Sequence, residues 1–203
     1  MKEQGDTRTR IQDVALELFT EQGYEKTSLR EIAERLGVTK AALYYHFKTK
    51  EDIVASLLAD RVATMDDLID WGRAQPRTAE TRREILRRYA DELKQRRHQE
   101  MMRFFERNQT AVHNIAEASK LRDRMLAILD LLAPPGAPAT VRLRRALSIF
   151  ALHASMFVLN DLDEDERGEA GLAVALDLVD TPGGTADGDA SDSGTARRDP
   201  SGD

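Results

Sequence analysis

The chain has 203 residues, a formal net charge of −6 and no cysteine, so disulfides, thiolate chemistry and cysteine-built zinc sites are excluded. Hydrophobic residues make up 41% and aromatics 5%, and the apolar share leans on Ala and Leu, which suits a substantial all-helical core. The acidity argues against a uniformly basic nucleic-acid binder. Residues 1–50, with nine Lys/Arg and eight Asp/Glu, are near neutral by count, so any attraction to phosphate must come from which face the cations occupy.

The first nine residues are polar and read as a flexible arm. They lack the apolar run of a signal peptide, and the longest mostly apolar stretch, 146–159, is too short to span a bilayer, so a soluble cytoplasmic protein is expected. Helical periodicity then begins. Ile11, Val14, Ala15, Leu18 and Phe19 share one face, and Gly23 ends the helix. Ser28 with Glu31 makes a capping box for a second helix, whose apolar face is Ile32, Ala33 and Leu36 and whose stop is Gly37. Thr39 caps a short third helix over 40–46. A fourth starts at Thr49, capped with Asp52, carries Ile53, Leu57, Leu58, Val62, Met65, Leu68 and Ile69, and ends near Gly72 and Pro76.

Further helices are expected over 78–97, 101–107, 114–132, 139–161 and 164–179. The Arg-rich stretch 73–107 is interleaved with acids and reads as a salt-bridged, solvated face. The acidic run 161–169 lacks the spaced ligands and glycine of a calcium loop and reads as a helix boundary. The tail, 181–203, is Gly-, Ala-, Ser-, Asp- and Thr-rich and is expected to be disordered.

Residues 28–47 carry the functional signal. Two short helices joined by a tight turn at Gly37 can share a core of Ile32, Ala33, Leu36, Val38 and Leu43, which is helix-turn-helix geometry. Lys40 opens the third helix, and Tyr44, Tyr45 and His46 follow, more polar aromatic surface than a mini-core needs. Tyrosine hydroxyls can donate to phosphate and their rings can pack on thymine methyls. Lys48 and Lys50 can reach the DNA backbone, and Thr27 and Ser28 present hydroxyls at the second helix. The face of Tyr45 is not settled by its spacing from Leu43, and core remains an alternative for both tyrosines.

The segments with Phe19, Gly23, Tyr24 and Thr27, then Leu29, Ile32, Ala33, Leu36, Gly37 and Val38, then the run TKAALYYHFKTKE at 39–51, resemble the TetR family of repressors. The match covers about the first 55 residues. The resemblance implies an all-α protein, with an N-terminal three-helix helix-turn-helix DNA-binding domain (10–50) and a C-terminal helical ligand-binding and dimerisation domain (51–180). It implies Lys40 and Ala41 near base edges, Tyr44, Tyr45 and His46 clamping bases and phosphates, and Thr27, Ser28, Thr39 and Lys50 on the backbone. Phe47 would be core. The partners implied are double-stranded operator DNA, a small-molecule effector and a second copy of the chain.

For the effector, Met65, Trp71, Met101, Phe104, Phe105, His113, Phe150 and His153 are candidates, though most equally suit core or interface. For the homodimer, the wide apolar stripes predict Leu143, Leu147, Phe150, Ala154, Phe157, Leu172 and Leu176. Nothing points to catalysis, a cofactor or a metal. The four histidines have no metal spacing, the glycines at 23 and 37 stand alone, and no Gly-x-Ser-x-Gly elbow exists.

Overall fold

The computed structural model describes residues 2–108, 116–133 and 136–181. Among them every regular element is a helix: α1 (Lys2–Glu21), α2 (Leu29–Leu36), α3 (Lys40–His46), α4 (Lys50–Ala74), α5 (Ala79–Leu93), α6 (Arg96–Arg107), α7 (Ala116–Leu132), α8 (Ala139–Val158) and α9 (Glu164–Asp180). The residues beyond Thr181, read as a disordered tail, and His113 lie outside the described residues.

The helix ends follow local chemistry. Ser28 accepts from the Glu31 N–H while the Glu31 side chain accepts from the Ser28 N–H, and Thr49 and Asp52 repeat the device on α4. Asp163 and Glu166 do so on α9, which makes the acidic run a helix start, as its composition suggested. Gly37 sits in the left-handed region at φ 72°, where its N–H reaches back to Ala33 and Glu34 carbonyls. That closes α2 and turns the chain sharply into α3.

Four boundaries differ from expectation. α1 runs back to Lys2 through the segment read as an arm, because Lys, Glu, Gln and Arg are good helix formers and nothing there stops an anchored helix. Gly72 lies inside α4 rather than ending it; a Cβ there would meet Leu131 Cδ1 at 2.8 Å, so the glycine lets α7 pack close. The break after α5 falls at Lys94 and Gln95, so Arg96 and Arg97 open α6. α8 closes at Leu159 instead of running on to 161.

Two cores result. The first gathers Ile11, Leu16, Phe19, Ile32, Leu43, Phe47, Ile53 and Leu58 with Met101 and Phe104 of α6. It therefore crosses position 50, where the sequence placed a boundary. The second joins Met65, Ile69, Leu86, Tyr89, Ile128, Leu132, Leu152 and Ala175 from α4, α5, α7, α8 and α9. Helix α4, 25 residues and so about 37 Å long, contributes to both and links them mechanically. α8 and α9 meet through small residues: a Cβ on Gly171 would lie 2.5 Å from Ser155 Oγ. Three of the four arginines of α5 are paired as expected, Arg83 with Glu80 and Asp180, Arg87 with Glu80 and Glu84, and Arg88 with Glu84.

Candidate nucleic-acid interface and its control elements

Helix α3 is held by one buried side chain, Leu43, and by Phe47 just past its end. Successive residues on a helix are turned by about 100°, so with Leu43 inward, Tyr45 must point nearly opposite. Tyr45 is 70% exposed, its ring edge-on to His46 at 5.2 Å. Ala41 falls on the same side and is exposed; Lys40, the cap Thr39 and, just past the helix, Lys48 are exposed too. Tyr44 turns the other way; it is half-buried against the first core, with Lys40 Nζ 5.3 Å above its ring. Ser28 stays exposed, its hydroxyl engaged with Glu31.

Two expected contacts are used inside the protein. Thr27 is 2% exposed, and its hydroxyl donates to the Gly23 carbonyl at 2.9 Å, so it is not on the outer face; it closes the turn between α1 and α2. Lys50 is half-buried, donates to the Tyr24 carbonyl at 2.6 Å and lies 4.4 Å over the Tyr24 ring. Tyr24 in turn donates to Glu51 at 2.9 Å, and burial together with that carboxylate raises the phenol's pKa. Lys50 thus ties the start of α4 to the turn after α1.

The charge problem posed by the near-neutral head is resolved by pairing. Glu34 is taken by Arg30, and Glu17 and Glu21 by Arg35. Glu31 and Asp52 are spent on caps. Among the described residues Lys40 and Lys48 make no ion pair; Lys48 Nζ donates to the Tyr44 carbonyl. The outer side of α3 therefore carries uncompensated positive charge beside an aromatic hydroxyl and a bare Ala41, a surface that can approach a groove closely.

The head is fastened to the body by a polar knot. Gln12 Nε2 donates to Ser56 Oγ at 2.7 Å and to Asp60 at 2.9 Å, while Arg97 of α6 donates to Gln12 and to Asp60 at 3.2 Å. An aromatic seam lies beside it, with Phe104 5.4 Å from Phe19 and 5.8 Å from Tyr24 between ring centroids.

Of the effector candidates among the described residues, His153 alone lines the cavity between α6, α8 and α9 at the end of α5. This space of about 150 Å³ is walled by Leu93, His98, Gln99, Met102, Arg103, His153, Met156, Phe157 and Arg167. Met65 is core, Trp71 is half-buried under Arg88, and Met101 and Phe104 belong to the head seam with Phe105 against it. Periodicity marks such residues as buried but not in which core. Phe150 is 63% exposed and faces outward. His98 and Gln99 were missed, although a histidine three and four residues before Met101 and Met102 on one helix face was a readable signal. Tyr89 and His153 Nε2 share a hydrogen bond at 2.9 Å, whereas neither ring nitrogen of His98 has a partner. Burial and the nearby Arg61 charge push both imidazoles down, His98 to about 3 and His153 to about 4.

On α8, Leu143, Leu147, Phe150, Ala154 and Phe157 form one exposed stripe, continued by Val158. On α9 the outward apolar residue is Val174, while Leu172 and Leu176 are part-buried against the second core. Among the described residues no cluster suits a metal, and no helix is long and apolar enough to cross a membrane.

Residues 11–57 match the family model for bacterial regulatory proteins, tetR family. Over 56 residues the chain is 50% identical to the HTH-type transcriptional regulator AcrR of Shigella flexneri, covering 28% of this chain and 26% of that protein. It is 39% identical over 67 residues to the regulator TtgR of Pseudomonas putida, covering 33% and 32%. The aligned part thus spans about a quarter to a third of these relatives. Among solved structures, a transcriptional regulator from Aquifex aeolicus superposes with a TM-score of 0.67 at 22% identity, over 85% of this chain and 99% of that one. A SmeT–triclosan complex gives 0.63 at 22% identity, over 88% and 96%. The likeness beyond the head is one of fold.

Proposed function

Because residues 11–57 belong to the tetR family of bacterial regulatory proteins, we propose that the chain is a sequence-specific DNA-binding transcriptional repressor, not an enzyme. In this reading it is a cytoplasmic homodimer on a pseudo-palindromic operator, released by a small-molecule effector. Residues 10–50 read DNA, with α4 completing their core, and 51–180 bind effector and partner. The observation that carries the reading is the outer side of α3. Lys40, Ala41, Tyr45 and Lys48 are all exposed, while Glu34, Glu17 and Glu21 are engaged by Arg30 and Arg35. Such a surface suits the major groove, with Thr39, Ser28 and His46 at its margins. The α8 stripe, too apolar to face water alone, supports a two-fold bundle between subunits.

Selection of bound genomic fragments with purified protein tests the proposal. An inverted repeat with half-sites about 34–36 Å apart, or a multiple of that, is the expected product. Lys40→Ala is then expected to weaken binding and to flatten the dependence of log affinity on log salt by about 0.9 per half-site. An unchanged slope would remove α3 from the DNA. Phe150→Glu should convert the dimer to monomer in sedimentation; a wild-type profile that is already monomeric at micromolar concentration would sink the dimer.

A further inference from the structure

The cavity between α6, α8 and α9 has a chemical character of its own. Its walls are apolar at Leu93, Met102, Met156 and Phe157. At its inner side stands His98, 8% exposed, with both ring nitrogens lacking any hydrogen-bond partner. A buried polar side chain left unpaired costs stability that structural packing gives no reason to spend. At the outer side stand Arg103 and Arg167. Arg103 is exposed and has no ion-pair partner among the described residues, while Arg167 donates only to the Asp163 carbonyl. Among the described residues no carboxylate lines the space. Glu164 accepts from the Gln99 amide and faces a neighbouring crevice. A third cation, Arg61, lies 9% exposed on the far side of His98, where it stacks on Tyr89.

Resting on the effector reading above, we propose that this cavity binds a small aromatic acid bearing a second polar group, its carboxylate on Arg103 and Arg167 and its hydroxyl on His98. A volume of about 150 Å³ accommodates a single benzene-sized ring. The neutral imidazole can accept from a hydroxyl at one nitrogen and donate at the other. A cationic ligand is disfavoured by Arg103 and Arg167, and Arg61 beyond His98 holds the nearby Glu92 in an ion pair at 4.0 Å. The guanidiniums instead offer paired donors in the fork geometry that fits a carboxylate. The Met and Phe walls supply flexible apolar contact for the ring.

Calorimetry on the full-length, DNA-free protein tests this with 4-hydroxybenzoate, benzoate and 4-hydroxybenzylamine. The hydroxy acid is expected to bind best, benzoate less well, and the amine at least about tenfold more weakly than the hydroxy acid. Arg103→Met with Arg167→Met should lower affinity for both acids by roughly tenfold to a hundredfold. His98→Leu should reduce the hydroxy acid to the benzoate level without altering benzoate. Arg103 is exposed, so its single substitution reports on binding even if the buried variant melts early. Equal binding of acid and amine, no binding of either acid, or insensitivity to both sets of substitutions would overturn the proposal. Fragment release is read separately. Acid that binds but does not release selected DNA defeats the regulatory reading alone. DNA released by another compound, with no acid bound, defeats this inference alone.

Discussion

Phe47→Ala is expected to lower the stability of the DNA-reading head by about 3–5 kcal/mol, the usual cost of emptying a buried aromatic site, and to abolish fragment binding. Phe47 is 2% exposed, and its N–H closes α3 on the Leu43 carbonyl. Its ring also underlies the Arg8 guanidinium at 4.8 Å. It therefore holds together α1, the end of α3 and the start of α4 in a core of few large side chains, where a void has little chance to refill. Trp71, the sole tryptophan, sits in the second half of α4 beside Arg88 and reports on the body. Denaturant titration followed by circular dichroism should show an early loss of helix that tryptophan fluorescence does not share. Phe47→Leu, which keeps most of the volume, should retain binding. A single transition with an unmoved midpoint in Phe47→Ala would mean that α3 is not anchored through this ring.

Acid is expected to destabilise the body well before the carboxylates titrate. His98 and His153 are held neutral in the fold, at about 3 and about 4, against an ordinary value of 6.5. Between those values and 6.5 the unfolded chain binds protons that the folded one refuses. Stability is thus full above about pH 6.5 and falls as pH drops below it. From pH 7 to pH 5 the loss is about 2 kcal/mol for each histidine. Burial is the larger cause and Arg61 from α4, itself paired with Glu92 of α5, adds to it, while each histidine would also oppose a charge on the other. The capping carboxylate Glu31, Glu51 held by its own backbone N–H and by Tyr24, and the paired Glu80 also have lowered values, but they matter only below their own ordinary range near 4.5. His98→Leu should therefore flatten the stability profile from pH 6.5 down to about pH 3, the range in which the folded chain refuses the proton that the unfolded one binds. Parallel profiles for wild type and variant across that window would contradict the placement of a neutral, buried His98.

Much of the head was legible because its signals are local. Ser28 with Glu31, Thr39, Gly37 and Thr49 with Asp52 each act within a few residues, and each does in the fold what its spacing announced. The orientation of the two tyrosines was not legible in this way. Spacing alone left their face open; once the structure shows Leu43 buried, the helical turn sends Tyr45 out and Tyr44 to the flank. Thr27 and Lys50 were beyond local reading, since Thr27 bonds across a turn and Lys50 meets a carbonyl 26 positions away. In the body, amphipathic spacing identified buried faces without saying which faces meet. Met101 and Phe104 consequently looked like pocket walls, yet they complete the head's core. The cavity depends on three helices converging on an unpaired imidazole, a coincidence that no window of sequence contains.

The pairing of acids and bases in the head bears on how such a protein would search a genome. With Glu34 paired to Arg30 and Arg35 shared between Glu17 and Glu21, the attractive charge is a small tip on a chain whose total is −6. Beyond a Debye length of about 8–10 Å at cellular salt, the tip offers little pull, and at short range off-register DNA meets few cations. Residence on arbitrary sequence is therefore brief, because non-specific affinity grows with the number of phosphates neutralised. Discrimination then comes as much from rapid rejection of wrong sites as from tight grip on the right one.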